Sequence, residues 1–446
     1  MAKKRKRKRR ISFGTVLMLL LTASTLCLAG VFIARIAGND LKVQTAHLWN
    51  EIAGSMKIPG MLPVGDGLKP SVSTPEPAQA TASTPEPTPA PTPVPQPTER
   101  TITISAVGSL YAPKNIRQSG YDTKREAYDF TDIFARIKPY ISQSDLTLAT
   151  LETYFAGKEA GYGNYNAPTE LLDALRGSGV DLLSLASEYA FEKGPEGLGQ
   201  TLAEIASRGM IAAGAYADAQ EAGRAQVFQI NDVQIAVLAY TYGFSENSQS
   251  KARAAERKAV PVIDQSAMIR DIANVRKAGA DLVIVMPHWG TKNKTEVASS
   301  TRSLARALAE AGADLIIGAH PNVVQKVERM TVTRSDGAKH EAYVAYSLGS
   351  FLTDSREAKN TAGMILQVEI VYDPQTRSVR FEEVSYMPTY IQRLRSGEAY
   401  AYRIVAAGDA SYISELDAST QKAVESARQS VAETLGEEDA VNLTAM

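Results

Sequence analysis

The chain has 446 residues, 44% hydrophobic and 22% charged, ample for one large domain or two smaller ones. Its formal net charge of −1 hides an asymmetry: residues 1–10 (MAKKRKRKRR) carry eight Lys and Arg, so the remainder stands at −9. A mildly acidic body argues against nucleic acid as a partner, and a single cysteine, Cys27, excludes an internal disulfide framework.

After the basic tail (1–10), residues 11–34 contain no charge, and Arg35 follows directly. At about 1.5 Å per residue this run exceeds the ~30 Å hydrocarbon core of a bilayer. It is longer than the apolar region of a cleaved signal peptide, so an uncleaved anchor over 11–37 is expected. Positive-inside bias then gives a single-pass cell-membrane protein, with a cytoplasmic amino terminus and an extracytoplasmic main domain. A short juxtamembrane segment (38–69) leads to a Pro/Thr-rich linker (70–99), where nine of the 21 prolines fall between Pro75 and Pro97. Such a run forms no packed core and extends as polyproline II, about 3.1 Å per residue, which makes it a disordered, semi-rigid stalk.

The folded part begins near Arg100. Buried-strand patterns lie at 102–109 (ITISAVGS), 145–152 (DLTLATLE) and 233–243 (VQIAVLAYTYG). Helix, Gly-rich stop and strand follow one another in 171–189, 269–290 and 302–321, the last two as repeats of one grammar (AGADLVIVMPHWG, AGADLIIGAHP). Glycine after the last turn supplies a left-handed cap, and the β-branched run after it reads as a buried strand. Strands at 341–351 and 364–373 complete the pattern, the second expected to be antiparallel. Alternating helices and strands followed by strands alone predict a layered α/β sandwich over 100–400. Residues 401–446 read as a carboxy-terminal extension with a surface helix over roughly 414–435.

Two of only four histidines, His288 and His320, end successive strand runs at matching points. In open α/β sheets the carboxyl ends of the strands are where ligands bind, so the pair points to a site, against the plainer reading in which each histidine satisfies a local turn. Polar residues at the other strand ends join them: Ser109, Glu152, Ser187, Glu188, Tyr189, Asn322 and Ser350.

This ordered set resembles the CapA-type family of poly-γ-glutamate capsule synthesis, a branch of the calcineurin-like metallophosphoesterase fold. The resemblance rests on AVGS (106–109), ATLETYFAG (149–157), GVDLLSLASEYAFEKGPEGLGQTL (179–202), PHWG (287–290), GADLIIGAHPNVVQKVE (312–328) and YSLGSF (346–351). It implies an α/β/β/α sandwich and a metal-bearing cleft. The chain departs from the family pattern where Gly-Asp becomes Gly108-Ser109, Asn-Asn-His becomes Ser187-Glu188-Tyr189, His-Pro-His becomes His320-Pro321-Asn322, and Gly-Asn-Phe becomes Gly349-Ser350-Phe351. One carboxylate and two imidazoles are thereby missing, and serine hydroxyls bind divalent metals weakly. Glu152, His288 and His320 remain as ligands for at most one Zn²⁺ or Mn²⁺, with no bridging group for a second ion; Glu188 returns a carboxylate one residue out of register. The expectation is a non-catalytic module, without a required cofactor, that binds an envelope polymer or the capsule-synthesis machinery through Tyr189, Trp289 and Asn322. The alternative is a divergent metal-dependent hydrolase in which His288 and His320 are catalytic.

Overall fold

Two sheets packed face to face carry the fold in the computed structural model, which describes residues 98–219, 225–397, 399–436 and 443–445. The expected anchor and juxtamembrane segment, and all but the end of the stalk, lie outside the described residues. Among the described residues no helix is long and apolar enough to cross a membrane.

The chain enters through β1 (Arg100–Leu110) and makes a small ribbon of β2 (Tyr121–Asp122) and β3 (Ala127–Tyr128). It then lays down β4 (Leu146–Leu151), β5 (Leu182–Ser184) and β6 (Ile211–Ala213) in parallel beside β1. The second sheet follows with β7 (Gln226–Ile230), β8 (Val233–Thr241), β9 (Leu282–His288), β10 (Leu315–Ile317), β11 (Val327–Thr333) and β12 (Lys339–Ala345), in the order β11-β12-β10-β9-β8-β7. The path returns to the first sheet with β13 (Ser350–Leu352), β14 (Ala362–Asp373), β15 (Ser378–Ser396), β16 (Ala399–Ala406) and β17 (Leu443–Ala445). β14 pairs antiparallel with β1, as the sequence predicts.

Side-chain alternation along a strand assigns each face. On β8, Ile235, Val237 and Ala239 belong to one contiguous core shared with the first sheet, which includes Leu148 and Leu183. Ala236, Leu238 and Tyr240 point the other way, onto Met268 and Ile272 of α3 (Gln265–Lys277) and Leu308 of α4 (Ser299–Ala311). On the first sheet's side, α1 (Glu170–Ser178) and α2 (Gly194–Ser207) add Leu172, Leu175, Leu198 and Ile205 to the shared core. The result is a mixed α/β sandwich with helices outside. Each fully buried Leu or Ile contributes about 1.5–3 kcal/mol relative to exposure.

No break occurs at residue 400, the expected domain boundary: β16 pairs with β15 along its whole length. The terminal helix, α5 (Ala418–Leu435), is also more than a surface element. It buries Val424, Ala427, Val431 and Leu435, three of them in the shared core, while most of its other residues stay exposed. Its polar residues mask an apolar stripe at helical spacing.

The repeated aspartates before the strand runs have a structural role. Asp145, Asp181, Asp281 and Asp314 each precede a strand, and each carboxylate accepts the backbone N–H that opens or nearly opens the neighbouring strand: Thr103, Thr147, Gln234 and Val283, at 2.8, 2.9, 2.9 and 2.6 Å. These bonds fix the amino ends of adjacent strands, and with them the level at which the carboxyl ends finish. Asp281 does more, because Arg377, from the turn between β14 and β15 of the other sheet, donates to Asp281 Oδ1 at 2.7 Å.

Close backbone approach sets one strand tip. A Cβ on Gly108 would lie 2.2 Å from the Gly349 carbonyl oxygen, so only glycine lets β1 run against the turn before β13 and brings Ser109 level with Ser350.

Asp281→Ala is expected to lower stability by about 1–3 kcal/mol in urea unfolding, the cost of a buried group left unsatisfied. Asp281→Asn should cost less, because its amide oxygen still accepts from Gln234. Equal losses would show that the Arg377 ion pair, and not the strand-opening bond, carries the effect.

Candidate functional site

The two sheets meet at a single carboxylate. Glu188, four residues beyond β5, comes from the first sheet; His288 is the last residue of β9 and His320 lies three beyond β10, both in the second. Glu188 Oε2 accepts from His288 Nε2 at 2.8 Å and from His320 Nδ1 at 2.9 Å, while Oε1 accepts from the Lys292 ammonium at 3.0 Å. An ionised carboxylate only accepts, so these contacts place a proton on His288 Nε2 and on His320 Nδ1. Glu188, His288 and His320 are 3, 1 and 6% exposed, so the cluster is shut off from bulk water.

Burial works against charge on Glu188, but the hydrogen bonds from His288 and His320 outweigh it and hold the carboxyl well below the usual range. Burial likewise opposes charge on Lys292, yet the Glu188 carboxylate raises its pKa above the ordinary lysine value. The Lys292 ammonium also lies 4.9 Å from the Tyr189 ring centroid and hydrogen-bonds to the Tyr189 hydroxyl. Tyr242 closes the cluster, its ring 4.7 Å from that of His320 and stacked 6.3 Å from that of His288. Burial raises the pKa of Tyr189, Tyr165 and Tyr242, which keeps these phenols neutral.

The backbone is bent to reach this geometry. His320 has φ of +96° and Asn322 and Asn293 have +58° and +60°. A non-glycine residue in that region costs of order 1–3 kcal/mol, and such residues collect where the surroundings demand a fixed side-chain direction. Beside the cluster lies a cavity of about 430 Å³ whose walls include Glu152, Tyr165, Tyr189, Lys292 and Asn322.

The residues singled out in the sequence fall into three groups. Glu188, His288 and His320 form the cluster, and Tyr189, Asn322 and Glu152 line the adjoining cavity. Ser109, Ser187 and Ser350 are buried behind it: Ser109 and Ser350 stand in register on paired strands, Ser350 Oγ donates to the Asn322 carbonyl at 3.3 Å, and Ser187 Oγ bonds Tyr154 at 3.0 Å. Trp289 is not a cleft residue. One position beyond His288, it turns to the opposite face, stacks on Tyr346 at 6.0 Å and donates its indole N–H to the Tyr346 carbonyl at 3.0 Å within the second core.

The expected ligand trio of Glu152, His288 and His320 also needs correction. The three grouped donors are Glu188, His288 and His320, whose atoms lie within 4.8 Å of one another. Glu152 stands apart in the cavity wall, its buried Oε1 without a hydrogen-bond partner. The out-of-register position of Glu188 argues in sequence against it as a ligand, but the loop after β5 turns that side chain inward. Lys292 and Tyr242 escape a sequence reading; Lys292 has only its place four residues after His288 to mark it.

A profile of the family described as "Bacterial capsule synthesis protein PGA_cap" matches residues 103–355, more than half of the chain. The chain belongs to the PGA_cap family. It is 27% identical over 285 residues to the PGA biosynthesis protein CapA of Bacillus subtilis (strain 168), covering 61% of this chain and 69% of that one. It is 22% identical over 279 residues to the capsule biosynthesis protein CapA of Bacillus anthracis, covering 60% of this chain and 64%, less than two thirds, of that one. Among solved structures, it is similar to a phosphatase from Mycoplasma pneumoniae (TM-score 0.39, 15% identity, 65% of this chain and 94% of that one). It is also similar to the calcineurin-like phosphoesterase YfkN from Bacillus subtilis (TM-score 0.39, 12% identity, 74% of this chain and 100% of that one). At these scores the structural likenesses carry no argument.

In this PGA_cap chain, one carboxylate and two imidazoles form a donor set that suits a single Zn²⁺ or Mn²⁺ in composition and spacing. The surroundings fit less well. The nitrogens nearest the carboxylate already donate their protons to Glu188, and the buried Nδ1 of His288 has no partner among the described residues. A ligating imidazole normally donates its second N–H to an orienting acceptor. The Ser109 hydroxyl, whose Oγ also has no hydrogen-bond partner, is neutral, so the described residues offer no carboxylate grouped with these three to bridge a second ion.

Glu188→Gln removes the negative charge and turns one of its two acceptor oxygens into a donor facing other donors, and should cost about 3–5 kcal/mol, as for a broken buried ion pair. Because the folded-state pKa of Glu188 is lowered, its stabilisation is complete above the ordinary glutamate value of about 4.3 and is lost as pH falls below it. Urea unfolding at pH 7 and pH 3 should therefore show the gap between wild type and Glu188→Gln narrowing at the lower pH. A constant gap would assign the loss to packing.

Proposed function

We propose that this PGA_cap chain is a membrane-anchored, extracytoplasmic binding module on a metallophosphoesterase-type sandwich, acting in the synthesis, export or retention of a poly-γ-glutamate-like envelope polymer. The observation that carries this reading is the closed pairing of Glu188 with Lys292, His288 and His320. The carboxylate that would hold a metal is already compensated by the protein's own ammonium and by two imidazole N–H groups. The cleft's accessible cation is thus Lys292, fixed above a tyrosine face and suited to attract an anionic repeat, with tyrosines and Asn322 to pack against and bond the backbone between charges. The capsule-synthesis machinery is the expected partner, and the stalk over 70–99 would set the module's distance from the membrane.

A second reading, a divergent metal-dependent hydrolase of phosphoesters or amides, is favoured by the unpartnered Glu152 Oε1 beside the Glu188–His288–His320 group. A bound Zn²⁺ or Mn²⁺ would supply an activated water. Glu152 would then orient or deprotonate a nucleophile from the cavity wall, and Lys292 would neutralise an anionic substrate.

Elemental analysis of the full-length protein separates the two. The binding reading expects well under one Zn or Mn per chain, and an increase in Zn²⁺ affinity of about tenfold, roughly 1.4 kcal/mol, when Lys292→Met frees Glu188. Stoichiometric metal in the wild type, lost in His320→Ala, would establish the hydrolase reading instead. For the topology, protease added to intact protoplasts should remove a carboxy-terminal tag and spare residues 1–10; a protected tag would place the domain inside the cell.

A further inference from the structure

A second hollow, of about 550 Å³, lies between the segment 353–361, strands β15 and β16, and helix α5. Among the described residues three cations line it, Arg356, Lys359 and Arg393, and no carboxylate does. Ser426 and Ser430 of α5 also line it, and Tyr402 and Ile391 supply apolar wall.

Among the described residues no carboxylate pairs with Arg356 or Lys359, and Arg393 has one long ion pair, with Asp354. Arg393 projects from β15 with its guanidinium carbon 4.4 Å from the Tyr400 ring centroid, and its buried Nη1 makes no hydrogen bond. The nearest carboxylate, Asp354 Oδ1, is 3.6 Å away and already bonded by the Tyr402 hydroxyl, while Asp354 Oδ2 accepts from Asn115 at 2.6 Å. Among the described residues the Lys359 ammonium donates only to the Asn293 carbonyl, at 3.2 Å. A surface scatter of lysines and arginines is ordinarily just solvated. A concave group of three cations, one with a buried unspent donor, is a site for an anion.

This hollow is not separate from the first. Thr353 and Ser355 line both cavities, so the segment 353–361 is their common wall. The wall is pinned to the cluster's own loop, because Asn360 donates to the Asn293 side chain at 2.7 Å and Asn293 follows Lys292. Most of the lining, from Arg356 onward, falls beyond the stretch that matches the family profile, 103–355.

We propose that the cavity holding Arg356, Lys359 and Arg393 is a second subsite, which takes a carboxylate of a polymer whose neighbouring carboxylates lie in the Glu152–Lys292 cavity. The inference rests on the reading of the chain as a polymer-binding module and extends it to a second contact point. A carboxylate is planar and singly charged, matching a guanidinium fork, and apolar spacers between successive carboxylates suit the Tyr402 and Ile391 wall. Two such subsites on one chain multiply affinity through effective concentration.

The test is calorimetric titration of the full-length protein in detergent micelles with a synthetic decamer of γ-linked glutamate. A glycerol-phosphate decamer and inorganic phosphate serve as the phosphate arms. Arg356→Gln combined with Lys359→Gln alters only exposed side chains, so folding is not at stake; Arg393→Gln is the sharper companion. The double variant is expected to weaken glutamate-decamer binding at least tenfold, with Arg393→Gln weakening it further and both phosphate probes binding at least tenfold more weakly than the glutamate decamer. Unchanged affinity in both variants, with loss in Lys292→Met, would overturn the second subsite while leaving the binding module intact. Absence of any binding by the wild type would overturn both. Preference for the phosphate decamer would overturn the assignment to carboxylate.

Discussion

The Glu188 carboxylate is the constraint around which this end of the molecule is arranged. It comes from one sheet and is gripped by two imidazoles of the other and by Lys292. Such a buried charge is tolerable only when it is fully paired, because taking an ion out of water costs several kcal/mol that good geometry must offset. Pairing it requires β5, β9 and β10 to finish at one level and His320 to accept a left-handed backbone. The staircase of aspartates at the opposite ends of the strands provides that level. The interaction therefore links strand register, loop conformation and the chemistry of the cleft.

The family resemblance implies metal ligands at these strand tips; here the Lys292 ammonium and the Glu188 carboxylate neutralise each other. A metal acts as an electrophile and activates water, whereas a lysine offers a fixed, strongly hydrated positive charge. Under the binding reading proposed above, such a cleft would recognise anions rather than cleave them.

Most of the framework is legible from the sequence because the strands are buried on both faces. The runs DLTLATLE, DLVIVMPHWG and DLIIGAHP declare themselves by length and β-branching, and the glycine stops mark where helices end. His288 and His320 are legible for the same reason, as polar residues that abruptly close apolar runs. What escapes is set by loop conformation. Nothing in the order Ser187-Glu188-Tyr189 says which of the three side chains turns inward, and Lys292 reads as one of several basic residues in a polar turn. Trp289 misleads because its neighbour is a site residue, while alternation sends it to the opposite face. Helix α5 misleads because polar residues outnumber the four apolar ones that dock it.

The ion pair between Asp281 and Arg377 has a mechanical consequence. It joins the two sheets at the start of β9, whereas Glu188 meets the histidines at the finish of the same strand, about 20 Å away at ~3.3 Å per residue. The sandwich is thus clasped across its sheets at both extremities of one strand, by an arginine at the start and by Glu188 at the finish, so β9 acts as the common rail to which both clasps are fastened.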